Sequence, residues 1–224
     1  MKKFLLLAAF IAPAFFLSAQ KINWGVRGGL NISSLSDYEM PIYQRPSGSF
    51  ECSELDNRLG AYAGAFAQFA LSGNLGLETG LYYARLGGKD KEYDDERGSI
   101  EQYKIDANPS YLQLPVALYY KFNITDKFKI YPSAGLYAGY GLTGNLKQQG
   151  SVGGIPIDSK AKYFDNFANK FDLGLTVGLN IEYSKFILGI HYDRGFTRVN
   201  KTEILYGDNA YNSNVRCSLA YLFR

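Results

Sequence analysis

The chain has 224 residues, 46% of them hydrophobic and 16% aromatic, with 24 Gly, 7 Pro and 2 Cys. Its formal net charge is +3, which gives no reason to expect a nucleic-acid partner. The two cysteines, Cys52 and Cys217, are too few for a disulfide scaffold, and one domain is the soft prior at this length.

The chain opens with Met1-Lys2-Lys3 and an apolar run from Phe4 to Leu17. A basic start, a short apolar core and a small-residue exit define a secretory signal peptide. The run is shorter than the roughly 20 apolar residues of a spanning helix. Residues 1–19 are therefore expected to be removed after Ala19, leaving Gln20 to begin a single domain over 20–224. Losing Lys2 and Lys3 brings the net charge to about +1.

The first segment of that domain alternates strictly. Ile22, Trp24, Val26, Leu30 and Ile32 share one face, while Asn23, Gly25, Arg27, Gly29 and Asn31 share the other. Successive side chains of a strand point to opposite faces, whereas a helix would mix the two sets. The segment Leu59 to Leu71 also reads as a strand, but Ala, Gly and aromatic residues occupy both faces and leave its orientation open. Leu75 to Tyr83, Leu112 to Phe122, Phe128 to Tyr140, Phe171 to Tyr183, Phe186 to Asp193 and Asn214 to Phe223 repeat the alternation. About eight strands result, many of them near the length a tilted strand needs to cross a bilayer.

The connections alternate long and short. Ser33–Asn57, Lys89–Pro109 and Asn145–Lys170 read as long polar loops, and Lys201–Ala210 forms the core of the last. Ser72–Asn74, Asn123–Lys127 and Ser184-Lys185 read as tight turns. Aromatic residues gather at both sets of strand ends. Trp24, Phe69, Phe122, Phe128, Tyr183, Phe186, Tyr221 and Phe223 lie on the short-turn side. Tyr83, Tyr111, Tyr140, Phe171, Tyr192 and Tyr211 lie on the long-loop side. Long strands, alternating loop lengths and two aromatic belts imply a closed eight-stranded antiparallel transmembrane β-barrel with up-and-down topology. Closure follows because an open sheet edge in hydrocarbon leaves backbone groups unpaired at several kcal/mol each. The expected location is a bacterial outer membrane, with periplasmic termini, extracellular long loops and outer-membrane lipid as the surrounding partner.

Several residues carry a resemblance. They are Gly28-Gly29-Leu30-Asn31-Ile32-Ser33, Tyr111-Leu112-Gln113-Leu114-Pro115, Ala134-Gly135-Leu136-Tyr137 and His191-Tyr192-Asp193-Arg194-Gly195-Phe196. In this order, after Ser18-Ala19-Gln20, the chain resembles the PorT-like outer-membrane β-barrel family of Bacteroidetes-type bacteria over nearly its whole mature length. The resemblance implies an eight-stranded barrel, mostly without assigned activity, with some relatives serving the type IX secretion and gliding apparatus. Tyr221-Leu222-Phe223 looks like the aromatic-ended signal read by the barrel-assembly machinery, and Arg224 departs from it.

Chemistry-bearing residues are sparse. His191 is the one histidine, and Asp193 shares its inward face. The pair could belong to a hydrolytic site of a lipid-modifying enzyme, but no serine is placed as a nucleophile. Arg27, Glu78, Lys121, Asp172, Glu182, His191, Asp193 and Arg216 all read as inward, where charges of both signs can offset the cost of burial by pairing. The acid-rich stretch Asp90 to Glu96 lacks ordered metal-ligand spacing and reads as a solvated loop. Gly150 to Gly154 lacks the lysine and helix of a phosphate loop. The expectation is a non-enzymatic integral barrel, envelope-structural or partner-binding, with no catalytic, cofactor or metal residues and possible envelope protein partners.

Overall fold

The computed structural model describes residues 22–36, 39–44, 50–54, 56–90, 100–152, 155–166, 168–200 and 210–223. The expected signal peptide, most of the acid-rich stretch, Gly153, Gly154, most of Lys201–Ala210 and Arg224 lie outside them. Eight strands close into a ring: β1 Ile22–Ser36, β2 Asp56–Ser72, β3 Leu75–Arg85, β4 Ile100–Tyr120, β5 Phe128–Val152, β6 Phe171–Tyr183, β7 Phe186–Gly195 and β8 Tyr211–Phe223. Each pairs antiparallel with its neighbours in sequence, and β8 returns to β1 along a register running from Trp24↔Phe223 to Ser36↔Tyr211. That last ladder is what removes the edge.

The period of two is kept. Trp24, Leu136, Val177, Leu188 and Leu219 project from the wall, while Arg27, Asp172, Glu182 and Arg216 are buried inside it. β2, ambiguous in sequence, turns Tyr62, Phe66 and Gln68 inward and leaves Ala61, Ala63 and Ala65 outward. The aromatic belts stand at both rims with one correction: Tyr111 is 1% exposed and points inward, its ring 5.4 Å from that of Phe164. It belongs to the odd-numbered inward set of β4, together with Gln113. At the short-turn end, Gly73 adopts φ +54°, a conformation that glycine takes without steric cost.

The expected long loops are also corrected. β1 runs on to Ser36, and Glu39–Gln44 pairs with Phe50–Glu54 as a separate hairpin. β4 already begins at Ile100, within the stretch read as a loop, and β5 continues to Val152, where it turns back along Ile155–Lys162. β4 and β5 have 21 and 25 residues, far beyond the roughly 9–11 that cross a bilayer. Their upper halves form, with Ile155–Lys162, a three-stranded sheet standing on the barrel wall. The stretch Gly150–Val152 is thus strand, not phosphate loop. A short helix, α1 (Tyr163–Asn166), then leads back to the barrel mouth.

One irregularity organises this part. Tyr111 pairs with Gly141 and Ser110 with Thr143, so Leu142 is an extra residue in β5. A bulge of this kind reverses which alternate residues face outward. Below it Leu136 and Tyr140 face out; above it Asn145, Lys147 and Gln149 do, while Leu146 turns in and is 2% exposed.

Candidate functional site

Polar groups fill the barrel interior, layer on layer, and every charged residue read as inward is found there. Near the short turns, Lys121 Nζ donates to Glu182 Oε2 at 2.8 Å and to Gln68 Oε1 at 2.8 Å, and Lys129 Nζ stands 3.5 Å from Glu182 Oε1. Gln68 Nε2 passes the chain on by donating to Glu78 Oε2 at 2.9 Å and to the Tyr131 hydroxyl at 3.1 Å. Glu78 in turn accepts two bonds from Arg27, at 2.6 and 3.1 Å. The Arg27 guanidinium lies 4.6 Å over the Phe66 ring, so its flat face is covered as its edge is bonded.

The next layer holds Arg216, which donates to Asp193 Oδ1 at 2.8 Å and stacks 5.2 Å over Tyr62. Asn214 donates to the other Asp193 oxygen at 3.4 Å and accepts from Asn31 at 3.3 Å. Toward the mouth, Asp172 accepts from Tyr137 (3.0 Å), Asn212 (2.9 Å) and Thr197 (2.8 Å). Above that, no buried charge is found among the described residues and apolar groups dominate. Tyr163 and Phe164 of α1 turn inward over Tyr111, and Leu35, Leu86, Ala107, Leu146, Ala168, Val199 and Ala210 join them in one buried apolar cluster. The segment after β7 ties this cap down: Asn169 donates to the Val199 carbonyl, and Val199 to that of Ala210.

Large rings are admitted because glycines face them. Gly25 stands directly across from Phe66, Gly76 from Tyr119, Gly174 from Tyr137 and Gly178 from His191. A Cβ at any of these four would run into the ring opposite. These four inward glycines are therefore the complement of the rings they face, in a lumen narrow enough for side chains to fill.

His191 sits in the middle layer with Arg27, Arg216 and Glu78 as the charged groups around it. Its Nδ1 has no hydrogen-bond partner, and the Asp193 carboxylate is engaged by Arg216 and Asn214. The two residues share a face, as expected, without forming a histidine–carboxylate couple. Ser218 directs its hydroxyl to the Gly189 carbonyl at 3.3 Å. Among the described residues no group of three or more His, Cys, Asp or Glu could hold a metal ion. On the outer wall, a groove of about 450 Å³ runs over Val26, Gly28, Ala63, Leu219, Tyr221 and Phe186, and it opens toward lipid.

Gln68, Tyr131, Tyr137, Asn212, Asn214 and Thr197 complete the network and were not singled out from sequence. For Asn212 and Asn214 the signal is strand parity with Arg216, and for Tyr131 and Tyr137 it is parity with Lys129, opposite the apolar Phe128 and Ile130. Gln68 was hidden by the two-sided composition of β2. Thr197 reaches Asp172 from outside any strand.

Solved structures similar to this chain include Ail, the attachment invasion locus protein of Yersinia pestis, at 11% identity and TM-score 0.42, covering 90% of this chain and 98% of that one. Neisserial surface protein A gives 14% and 0.41, over 91% and 99%. A major outer membrane protein from Thermus thermophilus gives 13% and 0.43, over 90% and 99%. No curated protein matches. The family model described as "Outer membrane protein beta-barrel domain" matches residues 18–200. With a closed ring of eight strands, an apolar outer wall and a paired polar interior, the chain belongs to this outer-membrane β-barrel family and is an integral protein of the bacterial outer membrane.

Proposed function

We propose that this protein is a non-enzymatic barrel without a diffusion pathway, and that it serves the envelope through the surface at its long-loop end. The observation that supports this is the unbroken side-chain sequence Glu182–Lys121–Gln68–Glu78–Arg27, followed by Asp193–Arg216 and the apolar cap. Paired side chains of this kind fill a narrow lumen, whereas porins with aqueous channels use 16–18 strands. Reconstitution into planar bilayers should give no large, steady conductance; a stable open level would refute the reading.

In the same proposal the signal peptide is cleaved after Ala19, the barrel-assembly machinery inserts the barrel, the termini lie in the periplasm and the long-loop end lies outside. A second reading is a PorT-like subunit of a type IX secretion or gliding machine. It rests on the resemblance drawn from the sequence, several of whose residues (Asn31, Gln113, Tyr137, His191 and Asp193) line the interior. A deletion strain separates the two. Lost secretion or gliding, with co-purification of other envelope proteins, favours the machine; weakened envelope integrity alone favours the structural role. Altered lipid A in that strain would instead revive a lipid-modifying activity at His191.

A further inference from the structure

The three-stranded sheet above the bulge presents an outward face whose composition follows from its register. Lys147 stands between Asp106 of β4 and Lys160 of the returning strand. In the row farther from the barrel, Gln149 stands between Lys104 and Asp158; in the row nearer to it, Asn145 stands between Asn108 and Lys162. Lys89 continues the Lys147 row beyond Asp106. Lys104, Lys147, Lys160 and Lys162 are all exposed.

Asp106 and Asp165 each meet a cation, while Asp158 keeps its charge beside a neutral amide. Asp106 is ion-paired with Arg58, Asp158 lies 3.5 Å from Gln149 Nε2, and Lys162 is 3.7 Å from Asp165. Lys104, Lys147 and Lys160 make no ion pair among the described residues. Lys147 and Lys160 are direct cross-strand partners, which puts their Cβ atoms about 4.5–5.5 Å apart, and like charges so placed destabilise a sheet. Among the described residues of its three rows the face carries lysines, amides and the two aspartates, and no large apolar anchor of the kind that dominates protein–protein interfaces. Its rows begin beyond Tyr140 of the upper aromatic belt and extend roughly 15–30 Å along the strand from it. That is above the level of the lipid headgroups, which the belt marks.

We propose that this face binds the phosphate-bearing saccharide of the outer leaflet's own lipopolysaccharide, with Lys104, Lys147 and Lys160 contacting its anionic groups. A bound anion relieves the Lys147–Lys160 repulsion, and this glycolipid is the polyanion that stands at that height beside an outer-membrane barrel. The inference rests on the long-loop end facing outside.

The test uses the mature protein in phosphatidylcholine nanodiscs. The probes are purified lipopolysaccharide, the same material stripped of phosphate, and phosphatidylglycerol vesicles. Wild-type protein should bind the intact glycolipid in a salt-sensitive manner and prefer it to the other two probes. The triple variant K104Q/K147Q/K160Q should bind it about tenfold more weakly, with its salt dependence flattened. Unchanged heat-modifiable gel mobility shows that the variant folds, and K127Q/K185Q at the short-turn end should bind as wild type does. Equal binding by the triple variant, equal binding of the stripped glycolipid or of phosphatidylglycerol, or an equal loss in K127Q/K185Q would each overturn the proposal. Orientation is read separately by impermeant maleimide on Ser159→Cys, made in a Cys52→Ser background, in intact cells. Labelling only in opened cells overturns the orientation and the proposal together; labelling on intact cells with no discrimination in vitro overturns the proposal alone.

Discussion

β5 uses its two faces in opposite ways below and above Leu142. Below, Leu136 and Tyr140 face out while Tyr131 and Tyr137 lie inside a lumen of paired charges. Above, Lys147 and Gln149 face out while Leu146 is buried against an apolar cap. One strand is thus inside-out in its lower half and ordinary in its upper half. The surroundings account for the difference: lipid rewards an apolar exterior, and water rewards a polar one. A single inserted residue makes the change without breaking the ladder, since the register resumes at Thr143.

The largest loss of stability is expected from the lower interior. Glu78→Ala would leave Arg27 buried without its bidentate partner and Gln68 with one of its two acceptors removed. Unfolding in denaturant from lipid vesicles should show a loss of about 3–5 kcal/mol. The double variant Arg27→Met/Glu78→Met, which removes the charges together, should recover more than half of that loss.

The next test places one residue type on the outer face of each half. Val177→Arg, on the lipid-facing wall of β6, should cost about 2–4 kcal/mol if that wall lies near the bilayer midplane. Gln149→Arg, on the outer face above the bulge, should change stability by no more than about 0.5 kcal/mol. Equal costs would mean that the bulge does not mark the boundary between lipid and water.

What could be read from sequence follows the same division. The bounds of β6, Phe171–Tyr183, are those read from its alternation, because lipid on one side and charge on the other make the period unambiguous. The eight residues read as inward lie inside for the same reason, and Lys129 joins them beside Glu182. β2 was not, because alanines line its lipid face and Gly60, Gly64, Tyr62 and Phe66 its lumen, so that hydropathy differs little between the two. The upper halves of β4 and β5 were read as loops. Their outward residues are polar, their inward residues meet a cap that forms only in the folded chain, and the extra Leu142 shifts the parity on which the reading depends. Tyr111 was placed on the belt by its position at a strand end, although parity with Gln113 turns it toward Phe164.

The cap supplies a smaller perturbation. Leu146→Ala should cost about 2 kcal/mol by leaving a void beside Tyr163 and Phe164. Because the cap sits above the ring of ion pairs, the loss should appear as faster hydrogen exchange at Ala168, Val199 and Ala210. The heat-resistant barrel band on a gel should persist. Loss of that band would show that cap and barrel unfold as one unit, and the two halves of β5 would then not be energetically separable.

The last prediction perturbs stability least and bears on which half faces which solvent. Cys217 is free, exposed on the outer wall, and pairs in register with Leu30 and Ile190. Its neighbours on that face, Val215 and Leu219, are lipid-facing, so a water-soluble reagent should not reach it. Cys52 lies in Phe50–Glu54, paired across the hairpin with Pro41, in the connection that leaves β1 at the long-loop end. A membrane-impermeant maleimide applied to intact cells should therefore label Cys52 and spare Cys217, and Cys52→Ser should abolish the signal. Five residues separate Cys217 from Asn212, so Cys217 lies roughly 17 Å down the strand from the network at the mouth, which makes partial labelling through fraying an inadequate explanation of any strong signal there. If labelling needs permeabilised cells after surface polysaccharide has been removed, the long-loop end faces the periplasm and the lysine-bearing sheet meets a different solvent.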